Sequence, residues 1–237
     1  LSAAIMLVFA IAVLQRYFKR GSLHFLFWGV GLLMFSTASL AGAYLALSWN
    51  RWVFCAWYFF GAALNAAWIG QGTLYLLFSR RRVVPLTALL VLGSLAAFAL
   101  MLQVMPLIDE SGFTTDAPIS EQYSSIMPPA GAGATIRLVT PFFNVYGVTL
   151  LVGGALWSSY LFWRKGVLPN RVIGNVLIAI GALIVSFVSV LARMGFGAWM
   201  YLGEMLAAVM LFAGFLVAEN PKRRDEIAVQ GAAHNNI

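Results

Sequence analysis

Charged side chains are scarce in this sequence. They make up 10% of its 237 residues, where an ordinary soluble domain carries roughly 25%. A soluble fold so poor in charge lacks the polar surface to cover its own core, which argues against that class. Cysteine is nearly absent as well. Cys55 stands alone, which excludes a disulfide within the chain and any site built from several thiolates. The two histidines, His24 and His234, are far apart and neither lies deep in an apolar run, so they cannot hold a haem between them. The three lysines, Lys19, Lys165 and Lys222, all lie outside the apolar runs, which excludes a chromophore bound as a Schiff base inside them. No metalloprotease, nucleophile-elbow or phosphate-loop motif occurs, and no two carboxylates share an apolar run. No catalytic set, metal site or cofactor is expected, and the chain reads as a non-enzyme.

What the sequence does have is hydrophobic residues, 62% of the chain, gathered into seven long runs. A bilayer core of about 30 Å needs roughly 20 consecutive apolar residues per helix. The runs cover residues 1–15, 24–47, 53–78, 84–107, 136–163, 172–192 and 198–218. Transmembrane strands are shorter and alternate in polarity, so these runs read as helices. The expectation is an all-α fold: a polytopic membrane helical bundle of seven transmembrane helices, forming one domain over residues 1–218. One long loop, about 108–135, interrupts it, and a short tail, 219–237, is expected to be disordered and cytoplasmic. The first run reaches only about 22 Å at 1.5 Å per residue and has no initiating Met, so further residues are expected to precede Leu1 in the native protein.

Charge sets the orientation. Lys and Arg are retained on the cytoplasmic side. The connections after runs 1, 3, 5 and 7 carry three each: Arg16, Lys19 and Arg20; Arg80, Arg81 and Arg82; Arg164, Lys165 and Arg171; Lys222, Arg223 and Arg224. Twelve of the 15 basic residues thus fall on one side, leaving Arg51, Arg137 and Arg193 on the other. The pattern predicts an N-terminus outside and a C-terminus inside, in a plasma or inner membrane. The net charge of +7 is then explained by anionic headgroups rather than by nucleic acid. Arg80, Arg81 and Arg82 are the candidates for headgroup contact. Trp49, Trp52 and Trp57 at outer ends, with Tyr17, Phe18 and Trp163 at inner ends, fit an aromatic belt.

Ionisable and amide side chains inside apolar runs are the candidate site residues. Glu204 is the clearest, roughly 10 Å along the last run by helical rise. The outer basic residues Arg51, Arg137 and Arg193 begin or end runs and offer it partners. Within run 3, Asn65, Trp68, Gln71 and Tyr75 are spaced by three, three and four, which puts them on one side of a helix. They form either the lining of a ligand cleft or hydrogen-bonding glue between helices. Asn144 and Asn175 are weaker signals of the same kind. Ala62, Ala66 and Gly70 recur every fourth residue, a ridge that lets helices pack closely and makes run 3 central. Proline falls near expected helix starts or beyond ends (Pro85, Pro141, Pro169 and Pro221), or at the outer end of run 4 (Pro106). The broken helices of transporters are therefore not expected.

For function the residues favour an accessory or interaction subunit of a larger membrane complex, with lipid and other membrane subunits as partners. The alternative is a seven-helix sensor or receptor. It would bind a small apolar or amphipathic ligand, oriented by Glu204, Asn65 and Gln71, and signal through a separate partner. A small-solute transporter stands third. The acidic, Pro-rich outer loop, with Asp109, Glu110, Asp116 and Glu121, is expected to lie over the outer mouth or to meet another protein.

Overall fold

The computed structural model describes residues 1–165, 169–194, 196 and 198–219, and of Pro169, Arg193, Ala198 and Glu219 only the backbone. The tail beyond 219, with Lys222, Arg223, Arg224 and His234, lies outside the described residues, so the disorder expected of it is not addressed by the structure. Among the described residues the fold is all-helical, with seven helices long and apolar enough to cross a membrane.

Helix α1 (Ser2–Arg20) ends where Gly21 takes φ +65° and donates its amide to the Tyr17 carbonyl at 2.8 Å. Glycine alone enters that left-handed conformation without a Cβ penalty. The chain therefore turns at once into α2 (Leu23–Leu45). Helix α3 (Arg51–Leu77) is started by Asn50, whose side chain accepts from the amides of Trp52 and Val53. Its stretch Trp57–Leu64 is π-helical. Where a helix returns from π to α spacing, a carbonyl is left without its intrahelical amide. Near that point the Asn144 side chain donates to the Ala62 carbonyl at 2.8 Å.

Helix α4 (Arg80–Val104) leads into the long loop, which holds short 3₁₀ turns and an eight-residue helix, α5 (Ile119–Ile126). In the first part of the loop, Ser111 donates through its hydroxyl and its amide to Asp109, which holds that carboxyl below its ordinary range. Helix α6 (Ala132–Arg164) follows, then α7 (Pro169–Arg193) and α8 (Ala198–Glu219). Each long helix covers one run expected from the sequence. Two differences matter. Helix α1 continues through Arg16, Lys19 and Arg20, which lie in its last turns rather than after it. Helix α6 starts at Ala132, so Pro141 lies inside it and not near its start. Lacking an N–H, Pro141 cannot close the helical bond to the Arg137 carbonyl.

The packing order explains the shape. Helix α1 packs on α2, α2 on α3, α3 on α6, α6 on α7, α7 on α8, and α8 returns to α1. Six helices thus close a ring. Helix α4 stands outside it, against α3 and α6, and exposes Leu89, Leu92, Leu95 and Phe98. The α3–α6 seam is a close backbone contact. A Cβ at Gly70 would lie 2.8 Å from the Gly147 Cα, and one at Gly147 would fall on the Ala66 carbonyl carbon. The small-residue ridge of the sequence is this seam.

The ring has two unlike ends. The basic end carries the connections after α1, α3 and α6; the loop end carries α5. Toward the basic end Met6, Phe9, Phe25, Leu32, Leu211 and Phe215 form one buried cluster that joins α1, α2 and α8. Toward the loop end a second cluster joins Phe54, Met101 and Ile136 to Ile119, Ile126 and Met127, so the loop helix is fastened to the bundle by apolar burial.

Candidate functional site

Between these clusters the ring is hollow. A cavity of about 460 Å³ is walled by α2, α3, α6, α7 and α8, with Ser120 and Tyr123 of α5 over it. Small residues facing inward, among them Ala38, Gly61, Ala62 and Ala66, leave the room. The volume suits a small organic molecule.

Four contacts place the polar residues of the wall at one depth. Ser39 of α2 donates to Glu204 Oε2 of α8 at 3.0 Å. Gly61 of α3 faces Ala38, the neighbour of Ser39, so closely that a Cβ there would meet it at 2.6 Å. Asn144 of α6 bonds to Ala62, the neighbour of Gly61. Gly203 of α8 faces Val188 of α7, the residue before Ser189. Ser39, Glu204, Asn144 and Ser189 therefore ring the cavity as a single polar layer. Among the described side chains no cation pairs with Glu204; its one hydrogen bond is to Ser39.

Above this layer the wall turns aromatic. Tyr123 of α5 stands over Tyr58 and Trp57, with ring centroids 5.8 and 6.2 Å apart. The Tyr58 hydroxyl meets Thr140 Oγ1 at 3.1 Å. Arg137 lines the cavity but its guanidinium serves the loop. Its Nε, Nη1 and Nη2 donate to the carbonyls of Gly133, Ser124 and Pro128 at 3.1, 3.2 and 3.0 Å. Those bonds clamp the end of α5 and the chain after it to α6. Ser120, 7% exposed, lines the cavity, and its hydroxyl has no hydrogen-bond partner.

The candidates from the sequence fall into separate places. Glu204, Asn65 and Arg137 line the cavity. Arg51 lies apart, ion-paired with Glu110 of the loop at 2.5 Å. The side chain of Arg193 lies outside the described residues. Arg80, Arg81 and Arg82 form the exposed first turn of α4 at the basic end. Trp68, Gln71 and Tyr75 turn away from the cavity. Trp68 Nε1 donates to Ser94 Oγ at 3.2 Å, and Gln71 Nε2 to Thr87 Oγ1 at 2.7 Å. The Tyr75 hydroxyl meets the same Thr87 oxygen at 2.8 Å, and the Tyr146 hydroxyl donates to Gln71 Oε1. These three are hydrogen-bonding glue joining α3 to α4 and α6. Steps of three residues drift by about 60° on a helix of 3.6 residues per turn, so Asn65 and Gln71 stand about 120° apart. One stripe in the sequence serves two faces of α3.

Sequence reasoning passed over Ser39, Ser189 and Ser120, because a single serine in or beside an apolar run more often bonds its own helix. Ser189 does so, to the Val185 carbonyl at 2.7 Å. It also read the loop as irregular. Ile119, Tyr123 and Ile126, spaced by four and three after Pro118, are the pattern that marks α5.

No family model matches this chain, and no curated protein or solved structure matches it.

Proposed function

We propose that this chain is a seven-helix membrane receptor or sensor, N-terminus outside and C-terminus inside, that binds a small molecule in the lidded cavity. The carrying observation is the cavity itself: about 460 Å³ with a carboxylate, amides and hydroxyls on its wall. Val145 and Val190 on its wall are exposed, so the cavity also opens outward between α6 and α7. The cavity moves the receptor reading ahead of the accessory subunit that the residues alone favoured. Exposed leucines on α4 suit lipid, and the basic connections gather at the end away from the loop, as the cytoplasmic side would.

The test is a small-molecule stability screen on the protein in nanodiscs, run beside Val148→Trp, which fills the cavity from α6. Compounds are expected to raise the melting temperature of the parent and to lose that effect in the variant. A parent indifferent to every compound, yet isolated with a stoichiometric membrane protein, would make the chain a subunit instead. Orientation is checked in a Cys55→Ser background. Thr115→Cys in the loop is expected to react with an impermeant thiol reagent on intact cells, and Ser79→Cys between α3 and α4 to be protected. The reverse labelling overturns the orientation.

A further inference from the structure

We infer that the cavity takes a small amphipathic amine, its primary ammonium held in the polar layer at Glu204 and its apolar body lying toward Trp57, Tyr58 and Tyr123. The inference rests on the ligand-binding reading above and gives that ligand a chemical class.

The argument is an inventory of what the layer has left to offer. Ser39 spends its hydroxyl proton on Glu204, and Ser2 approaches Ser39 at 3.5 Å from behind, so this chain of hydroxyls points its donors at the carboxylate. A carboxylate holds about four lone-pair directions, and among the described side chains Ser39 fills one of them. Ser186 and Ser189 spend their protons on the carbonyls of Ala182 and Val185, and so present only lone pairs to the cavity. Asn144 spends one Nδ2 proton on Ala62 and keeps one N–H and its carbonyl oxygen. The remaining capacity of these five residues is chiefly acceptor, with no described cation at the Glu204 carboxyl, while the amides of Asn144 and Asn65 can donate as well as accept.

A ligand group that answers the Glu204 carboxyl and the serines beside it is rich in donors and poor in acceptors. A primary ammonium has three donors and no acceptor. An alcohol brings one donor and an acceptor of its own. A carboxylate would meet Glu204 with like charge. Arg137, the cation on the same cavity, is committed to three main-chain carbonyls. The three aromatic rings above the layer suit an apolar or aromatic body, and their faces favour a nearby cation. The unpartnered Ser120 hydroxyl on the lid is a second, independent mark of an occupant, because a buried hydroxyl is ordinarily satisfied.

The experiment compares three probes of matched size on the protein in phosphatidylcholine nanodiscs: 2-phenylethylammonium, 2-phenylethanol and 3-phenylpropanoate. Binding is measured by calorimetry with empty discs subtracted. The ammonium is expected to bind at least tenfold more tightly than either other probe. Glu204→Gln should remove that preference while keeping the binding of 2-phenylethanol. Ser39→Ala, which leaves the carboxylate in place, should keep it. Equal binding of the three probes, or a lead for the carboxylate, overturns the inference, as does a preference that survives Glu204→Gln. Should Glu204→Gln fail to fold, the order of the three probes on the parent protein decides alone. Probes that bind without preference, and are lost in Val148→Trp, would refute the amine and leave the ligand cavity standing. Absence of binding by all three refutes the amine, and the stability screen above then judges the cavity separately.

Discussion

The two faces of α3 carry similar residues to opposite ends. On the face toward α4 and α6, Trp68, Gln71 and Tyr75 find partners on Ser94, Thr87 and Tyr146, and Gln71 is fully buried. On the face toward the cavity, Asn65, Glu204 and Ser120 surround open space, and part of their hydrogen-bonding capacity meets no protein group. Composition does not separate the two: each has an amide, hydroxyls and aromatic rings. Saturation does. A polar group whose partners are all intramolecular is structure, and one with capacity left over is available to a ligand. The inward-facing Gly61, Ala62 and Ala66 leave the second face open.

The comparison breaks most severely at the seam beneath both faces. Gly147→Leu would drive a side chain into the backbone of α3 at Ala66. Overpacking against a main chain cannot be relieved by a rotamer change, so the cost should reach about 3 kcal/mol or more. The expected outcome is loss of monodisperse protein on size exclusion, with both faces disrupted together. A variant that keeps its melting temperature would mean that the helices are not in such close contact.

Gln71→Leu separates the faces. It leaves the Tyr146 hydroxyl without its acceptor and removes one bond to Thr87. Interhelical hydrogen bonds are worth about 1–2 kcal/mol at most in model systems, so a moderate fall in melting temperature is expected. Probe binding should stay unchanged, because the network does not line the cavity. A loss of binding without a loss of stability would place Gln71 in the site and dissolve the contrast.

How far the sequence shows this contrast differs between its parts. The seven long helices are legible because each is a run of about 20 apolar residues, the length a bilayer would require, and the ridge Ala62–Ala66–Gly70 locates the seam because close approach demands small side chains. The carboxylate at 204 is legible because burial makes it costly. The cavity is not legible. It arises where Ala38, Gly61 and Ala66, remote in sequence, fail to fill the middle of a ring, and no local pattern records a void. The π-helical segment is hidden for a related reason, since its residues, Trp57–Leu64, are ordinary apolar ones. The split of the polar stripe is legible only in degrees: spacing by three drifts around the helix, and whether about 120° means one face or two depends on the neighbours.

A smaller effect is expected at the surface. Arg51 and Glu110 form an ion pair with side chains 37% and 48% exposed. Such pairs contribute about 1 kcal/mol or less and are weakened by salt. Arg51→Ala should lower the melting temperature slightly at low ionic strength and not measurably at high. An equal fall under both conditions would assign Arg51 a packing role instead.

The smallest effect is the most telling about the open face. Ser120 is buried in the lid, yet its hydroxyl has no protein partner. Removing a partnered buried hydroxyl costs about 1 kcal/mol, whereas removing one that has no bond forfeits nothing the fold uses. Ser120→Ala should therefore leave the stability of the empty protein within about 0.5 kcal/mol of the parent. The same substitution should weaken whichever probe the cavity holds, since the hydroxyl is then free to bond the occupant. That pattern, neutral when empty and costly when filled, is what a face built for a ligand predicts. A face built only for packing predicts the reverse: a variant that loses stability when empty and binds no differently.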